Sequence, residues 1–159
     1  MLKTFFEITK ILNREFDETP VLYGSFGLGR VIEKDFDPDD VDVLVSDEFV
    51  HTKCKDLRRV LEENGYTLRD EKEHEFIKNG VKLAFASVLD LKNLIGSTRQ
   101  DLEITDESSV RFYELLPKHY LNLYQYLEAD AYRHKLGKTK KDKEKLEAIL
   151  DYELRHKIS

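Results

Sequence analysis

A chain of 159 residues is long enough to bury one proper core but too short for two large independent domains. With 40% hydrophobic and 36% charged residues, and no apolar run longer than a few positions, it reads as globular with a heavily charged surface, which excludes a disordered chain or a membrane-spanning helix. A net charge of -6 excludes a protein that grips nucleic acid with its whole surface, and the single cysteine, Cys54, excludes an internal disulfide framework and any multi-cysteine zinc site.

The opening MLKTFFEITKIL lacks the continuous apolar region and cleavage site of a signal peptide, so a cytoplasmic location is expected. Leu2, Phe5, Ile8, Leu12 and Phe16 recur at three- and four-residue steps, the stripe of an amphipathic helix that Thr19-Pro20 ends. Residues 20–24 form a short apolar run ending on Gly24, and Asp40-Val-Asp-Val-Leu-Val45 is a second strand with one wet face, since Val41, Val43 and Val45 alternate with the acids. Between these runs, Ser25 to Pro38 reads as a glycine-bearing loop. A helix follows with Leu57, Val60 and Leu61 on one face, capped by Asp47 or Thr52 and stopped by Asn64-Gly65.

Residues 66–71 are expected to form another strand. Asn79-Gly80 between two extended segments predicts a hairpin with a two-residue turn, which sets Lys78 opposite Val81, Ile77 opposite Lys82, Phe76 opposite Leu83 and Glu75 opposite Ala84. Phe76, Val81, Leu83 and Phe85 then face the core, and Glu75, Ile77, Lys82, Ala84 and Ala86 share the other face. Leu91, Leu94 and Ile95 mark a short helix that Asp90 is placed to cap. Pro117 opens a longer one through Tyr120, Leu121, Tyr124, Leu127 and Ala131, and Gly137 divides it from a last helix carrying Leu146, Ile149, Leu150 and Leu154. The expected class is α+β, a small mixed sheet with flanking helices. Residues 1–95 form its core, and 96–159 form a helical C-terminal extension packed on that core as a single unit.

Asp40 and Asp42 are one residue apart on a strand, so both carboxylates project from one face, roughly 7 Å apart along the backbone. Such a pair suits magnesium, which takes oxygen ligands and keeps water while bridging carboxylates to substrate phosphates. Gly24 at a strand end lets backbone amides approach a phosphate, and the Ser25 hydroxyl can donate to it. Tyr23-Gly24-Ser25 followed by Asp40-Val41-Asp42 resembles the signature of the DNA polymerase β-like nucleotidyltransferases, over about residues 1 to 90. The resemblance implies that fold, with Asp40 and Asp42 as catalytic ligands to Mg2+ and Gly24 and Ser25 at the phosphates of ATP or another NTP. The implied reaction transfers a nucleoside monophosphate to a hydroxyl of a small molecule, protein or RNA, releasing pyrophosphate.

The family places a third carboxylate on a later strand, but here Lys82, Ala84 and Ala86 occupy the polar side of 81–87. Glu75, opposite Ala84, is the candidate substitute; the alternative is a solvent-facing glutamate paired with Lys82, and Asp90 is another possible donor besides its reading as a helix N-cap. The missing acid leaves a second reading open, a catalytically reduced nucleotide-binding or partner-binding regulatory module. Arg133 to Lys145 holds seven basic residues against Asp142 and Glu144, either a solvated helix face or a wall that steers polyanions, with Lys138 or Lys141 as nucleotide contacts. Arg30 is a further phosphate candidate or an ordinary surface arginine. The tyrosines at 113, 120, 124, 126 and 132 suggest core packing or a helix–helix interface, with base stacking as the alternative, and the C-terminal helices are where a partner protein would dock. No histidine pair has metal-ligand spacing, and no mononucleotide or dinucleotide glycine motif is complete.

Overall fold

A computed structural model describes residues 1–157. Seven strands run in the order β3-β4-β5-β2-β1-β7-β6 across one mixed sheet. They are β1 (Val21–Tyr23), β2 (Asp40–Val45), β3 (Thr67–Asp70), β4 (Glu75–Lys78), β5 (Val81–Ser87), β6 (Glu103–Glu107) and β7 (Val110–Glu114). β2 pairs with β5 and β1 with β7 in parallel; the remaining neighbours are antiparallel. The α+β class follows directly from this arrangement.

Helices cover both faces. α1 (Leu2–Phe16) and α3 (Cys54–Glu63) cover one, where Phe5, Ile8, Leu12, Leu57 and Leu61 join Val41, Val43, Val45, Leu83 and Phe85 in a first core. The other carries α2 (Gly24–Ile32), α4 (Leu91–Ile95), α5 (Pro117–Glu128) and α7 (Thr139–Lys157), with α6 (Ala131–Lys135) bridging the last two. Leu44 belongs to this second core although it shares a sheet face with Asp40 and Asp42. The face expected to be wet is therefore wet only at the aspartate end, because helices seal the rest. No helix among the described residues is long and apolar enough to cross a membrane.

The hairpin register matches the expectation at all four pairs. Three expectations are corrected. The segment from Ser25 is not a loop: α2 starts at Gly24 and buries Leu28 and Ile32, one and two turns on, and only 33–39 is irregular. Gly27 serves packing rather than a turn, since a Cβ there would strike the Tyr120 hydroxyl and crowd Leu22. Secondly, the extension is not wholly helical, because β6 and β7 widen the sheet beyond β1 through a turn in which Ser108 and Ser109 both take positive φ. The final residues of that extension lie outside the described residues. Thirdly, no side chain caps α3 or α4: Lys53 and Asp90 stand at their N-caps without side-chain bonds, while Ser87 caps the turn before α4. The long C-terminal helix also breaks at Asp130, whose carboxylate accepts from the Tyr132 amide and starts α6.

Tyr120 is fully buried, and its hydroxyl meets no hydrogen-bond partner among the described residues. Removing an orphaned buried hydroxyl relieves a desolvation penalty, so Tyr120→Phe is expected to raise stability by about 1 kcal/mol. Gly27→Ala alone should destabilise by pushing a methyl against that hydroxyl, and Tyr120→Phe should recover most of the loss. Thermal unfolding of the two single variants and the double variant checks this; simple additivity would refute the packing argument.

Candidate functional site

The sheet register assembles the site. Tyr23 pairs with Asp42, Asp42 with Ala84 and Ala84 with Glu75, which makes one row across β1, β2, β5 and β4. Side chains of such a row share a face, so Glu75 stands two strand spacings, roughly 10 Å, from Asp42. Asp40 begins the next row, opposite Lys82. At Val21, Leu44 and Ala86 this face lies under helices; at Asp40, Asp42, Lys82 and Glu75 it opens into a cleft of about 820 Å³.

α2 enters the cleft at its N-terminus. Gly24 has φ +80°, and its α-carbon lies so close to Asp42 that any Cβ would run into the carboxylate Oδ2. The first amides of this nine-residue helix lack intrahelical partners and carry the positive end of its dipole. Ser25 follows and shares the cleft with Tyr124 of α5, whose own pKa is raised mainly by burial. Facing this end, α7 contributes Lys141 and Lys145 one turn apart, with Lys138 just before the helix.

Burial raises the Asp42 pKa from 3.8 to about 7, with the Asp40 charge, a hydrogen bond to Asp40 and Glu75 adding to the rise and Lys145 opposing it. Two carboxylates held together with little solvent cannot both ionise without cost, and a proton or a cation relieves them. Burial lowers the Lys145 pKa, with Arg133 and Lys141 in support and Asp142 and Asp40 in opposition. Tyr23, raised chiefly by burial and next by Asp42, remains a neutral phenol.

Of the residues singled out from sequence, Gly24, Ser25, Asp40, Asp42, Glu75 and Lys141 meet in this cleft, as does Lys138. Arg30 does not. It donates to Glu107 at 2.8 Å and Glu114 at 3.4 Å, tying α2 to the β6–β7 hairpin beside a neighbouring groove. Glu75 pairs with neither an aspartate nor Lys82; its ion-pair partner is Arg69, at 3.9 Å. Sequence reasoning named Arg133 and Lys145 only as members of the basic segment, Lys82 as a partner for Glu75 and Tyr124 as packing, and assigned none of the four to the site; all line the cleft. The helical spacing of Lys138, Lys141 and Lys145 is the signal that would have raised Lys145 to equal standing.

The donor set fits a divalent cation in one mode only. Two carboxylates can share magnesium with substrate phosphates and water, and Asp40 and Asp42 are such a pair. Among the described residues no group of three or more His, Cys, Asp or Glu side chains is placed to hold a metal.

The fold and site define a mixed α+β protein with a carboxylate pair facing a helix N-terminus across a lysine-walled cleft. No family model matches the chain. It is 35% identical over 145 residues to the uncharacterized protein YnaI of Bacillus subtilis (strain 168), spanning 91% of this chain and 92% of that one, and it belongs to the family of that protein. Among solved structures it is similar to the antibiotic-resistance factor ANT(2'')-Ia, at 12% identity over 98% of this chain and 92% of the other with a TM-score of 0.49, a likeness too slight to carry an argument.

Proposed function

We propose that the protein is a nucleotidyltransferase of the polymerase β-like type, moving a nucleoside monophosphate from an NTP to a hydroxyl acceptor with Mg2+ as cofactor. The observation that carries this reading is the meeting of Asp42 with Gly24: a half-buried carboxylate pair lies against the free N-terminus of α2, with Lys145 facing it. Carboxylates repel phosphates, so their placement beside an anion-binding helix end calls for a cation between them.

In this reading Asp40 and Asp42 hold a divalent cation, which when bound neutralises phosphate charge and lowers the cost of approach by the acceptor oxygen. The amides of Gly24 and Ser25 take the terminal phosphates, and Lys141 and Lys145 balance the leaving pyrophosphate. The acceptor oxygen bonds to the α-phosphorus, the bond from that phosphorus to the β-phosphate oxygen breaks, and the hydroxyl proton passes to a carboxylate. Glu75 is assigned that proton, because it lies in the same row as Asp42 beyond Ala84.

The experiment is label transfer from α-labelled NTP in the presence of magnesium, with Asp42→Ala and Glu75→Gln compared with the parent. Loss in both variants supports the assignment. The second reading, a nucleotide-binding module without turnover, is favoured by Ala84 standing in the acid's position and by the Arg69 pair on Glu75. It predicts magnesium-dependent nucleotide binding with no transfer to any acceptor. Absence of any thermal shift with magnesium and ATP, GTP, CTP or UTP would overturn both.

A further inference from the structure

One guanidinium in the cleft has its charge already balanced. Arg133 of α6 donates from Nε and Nη2 to the two carboxylate oxygens of Asp142, each at 2.6 Å. Asp142 lies fully buried on α7, whereas Arg133 lines the cleft. A guanidinium has five N–H donors in a plane. A side-on carboxylate takes one from Nε and one from Nη2, which leaves the end-on fork of Nη1 and Nη2 for a second partner. A buried counter-charge fixes the direction of that fork and cancels most of its net charge.

A directed but neutralised fork suits an uncharged acceptor pair better than a phosphate. Phosphate is served in the same cleft by Lys138, Lys141 and Lys145, single charges without directional preference. Leu127 and Leu136 line the same cleft as Arg133 and give it aliphatic surface, on which a flat ring can lie. Directional donors beside apolar surface are the features of a base-binding slot.

We propose that Arg133, held by Asp142, selects the nucleotide base, and that the base is guanine. This rests on the nucleotidyltransferase reading above. Guanine presents O6 and N7 as adjacent acceptors matching an arginine fork, whereas adenine sets its amino donors against the guanidinium donors. Arg133 contacts the base, and Asp142 is a positioning residue that acts through it.

The test measures affinities of the intact protein for GTP, ITP, 7-deaza-GTP and ATP in magnesium. GTP and ITP should bind about tenfold or more tightly than ATP, and 7-deaza-GTP should lose most of that advantage, having lost one acceptor. Truncating Arg133 alone leaves Asp142 buried and unpaired and threatens the fold, so the pair is replaced together, Arg133→Met with Asp142→Leu, a change that buried ion pairs tolerate. In that variant the GTP to ATP ratio should fall to near one with little change in melting temperature. Arg133→Lys, which keeps the charge and loses the fork, should lose the preference as well. Equal binding of GTP and ATP by the parent, full affinity for 7-deaza-GTP, or a preference surviving in the paired variant overturns the proposal and leaves the nucleotide reading standing. Failure of all four nucleotides to bind overturns both.

Discussion

Asp42→Asn is expected to make the protein more stable at pH 8 while abolishing the proposed nucleotidyl transfer. The Asp42 carboxyl titrates at about 7 in the folded chain against an ordinary 3.8, chiefly because it is buried and next because Asp40 is charged beside it. Its pKa is raised on folding, so below pH 4 both states hold the proton and nothing is lost. Between pH 4 and 7 the folded state retains a proton that the unfolded state has released, and stability falls as pH rises. Above pH 7 the deficit is complete, on the order of 2–4 kcal/mol for a shift of this size. Asparagine keeps the shape, donates a hydrogen bond to Asp40 and does not titrate. Urea unfolding of parent and variant from pH 5 to pH 8 should therefore give diverging curves, with the variant ahead at high pH; parallel curves would sink the electrostatic account.

The same substitution removes a proposed metal ligand. Losing even an outer-shell partner of a metal ligand costs about 10–100-fold in activity, so losing the ligand itself should reduce transfer by more than about a hundredfold. At pH 8 magnesium should raise the melting temperature of the parent, a chelator should reverse the gain, and the variant should respond to neither. A gain in stability with a loss of function is the signature of a site whose charge is kept for chemistry rather than for folding. A merely structural carboxylate would show the opposite.

How much of this was legible in the sequence depended on whether the signal was local. Asn79-Gly80 fixed the β4–β5 register because a two-residue turn leaves one pairing, and that register set Glu75 opposite Ala84; the step from Ala84 to Asp42 needed the β2–β5 pairing, a long-range contact with no local signal. The α2 helix was hidden by its own glycines. Gly24, Gly27 and Gly29 imitate a loop, although Leu28, Val31 and Ile32 already carry helical spacing, and Gly27 is there for the close approach of Tyr120. β6 and β7 turn through Ser108 and Ser109, which lack the Asn-Gly or Gly-Gly pair that marks a two-residue hairpin yet take the same left-handed backbone. Arg30 pointed to phosphate only while its loop was imagined; once helical, it faces the β6–β7 carboxylates. The Arg133–Asp142 pair spans nine residues and a helix break, so its meaning needed the turn between α6 and α7.

Gly24→Ala is expected to be among the most damaging single substitutions in the chain, on the order of 3 kcal/mol or more, because two separate penalties coincide. The first is conformational: φ at Gly24 is +80°, and an L-residue held there costs roughly 1–2 kcal/mol. The second is steric, since the new methyl enters the space of the Asp42 carboxylate, whose Cβ and Cγ are each 3.1 Å from the built position. Gly80→Ala separates them, because Gly80 has φ +77° and nothing within 4 Å of its built Cβ, so it reports the conformational part alone. The difference between the two variants in denaturant midpoint measures the collision. Adding Asp42→Ala to Gly24→Ala removes the carboxylate and should return part of the lost stability but none of the nucleotide binding. If Gly24→Ala proves no worse than Gly80→Ala, the close approach of α2 to the aspartates is wrong, and with it the placement of phosphate beside metal.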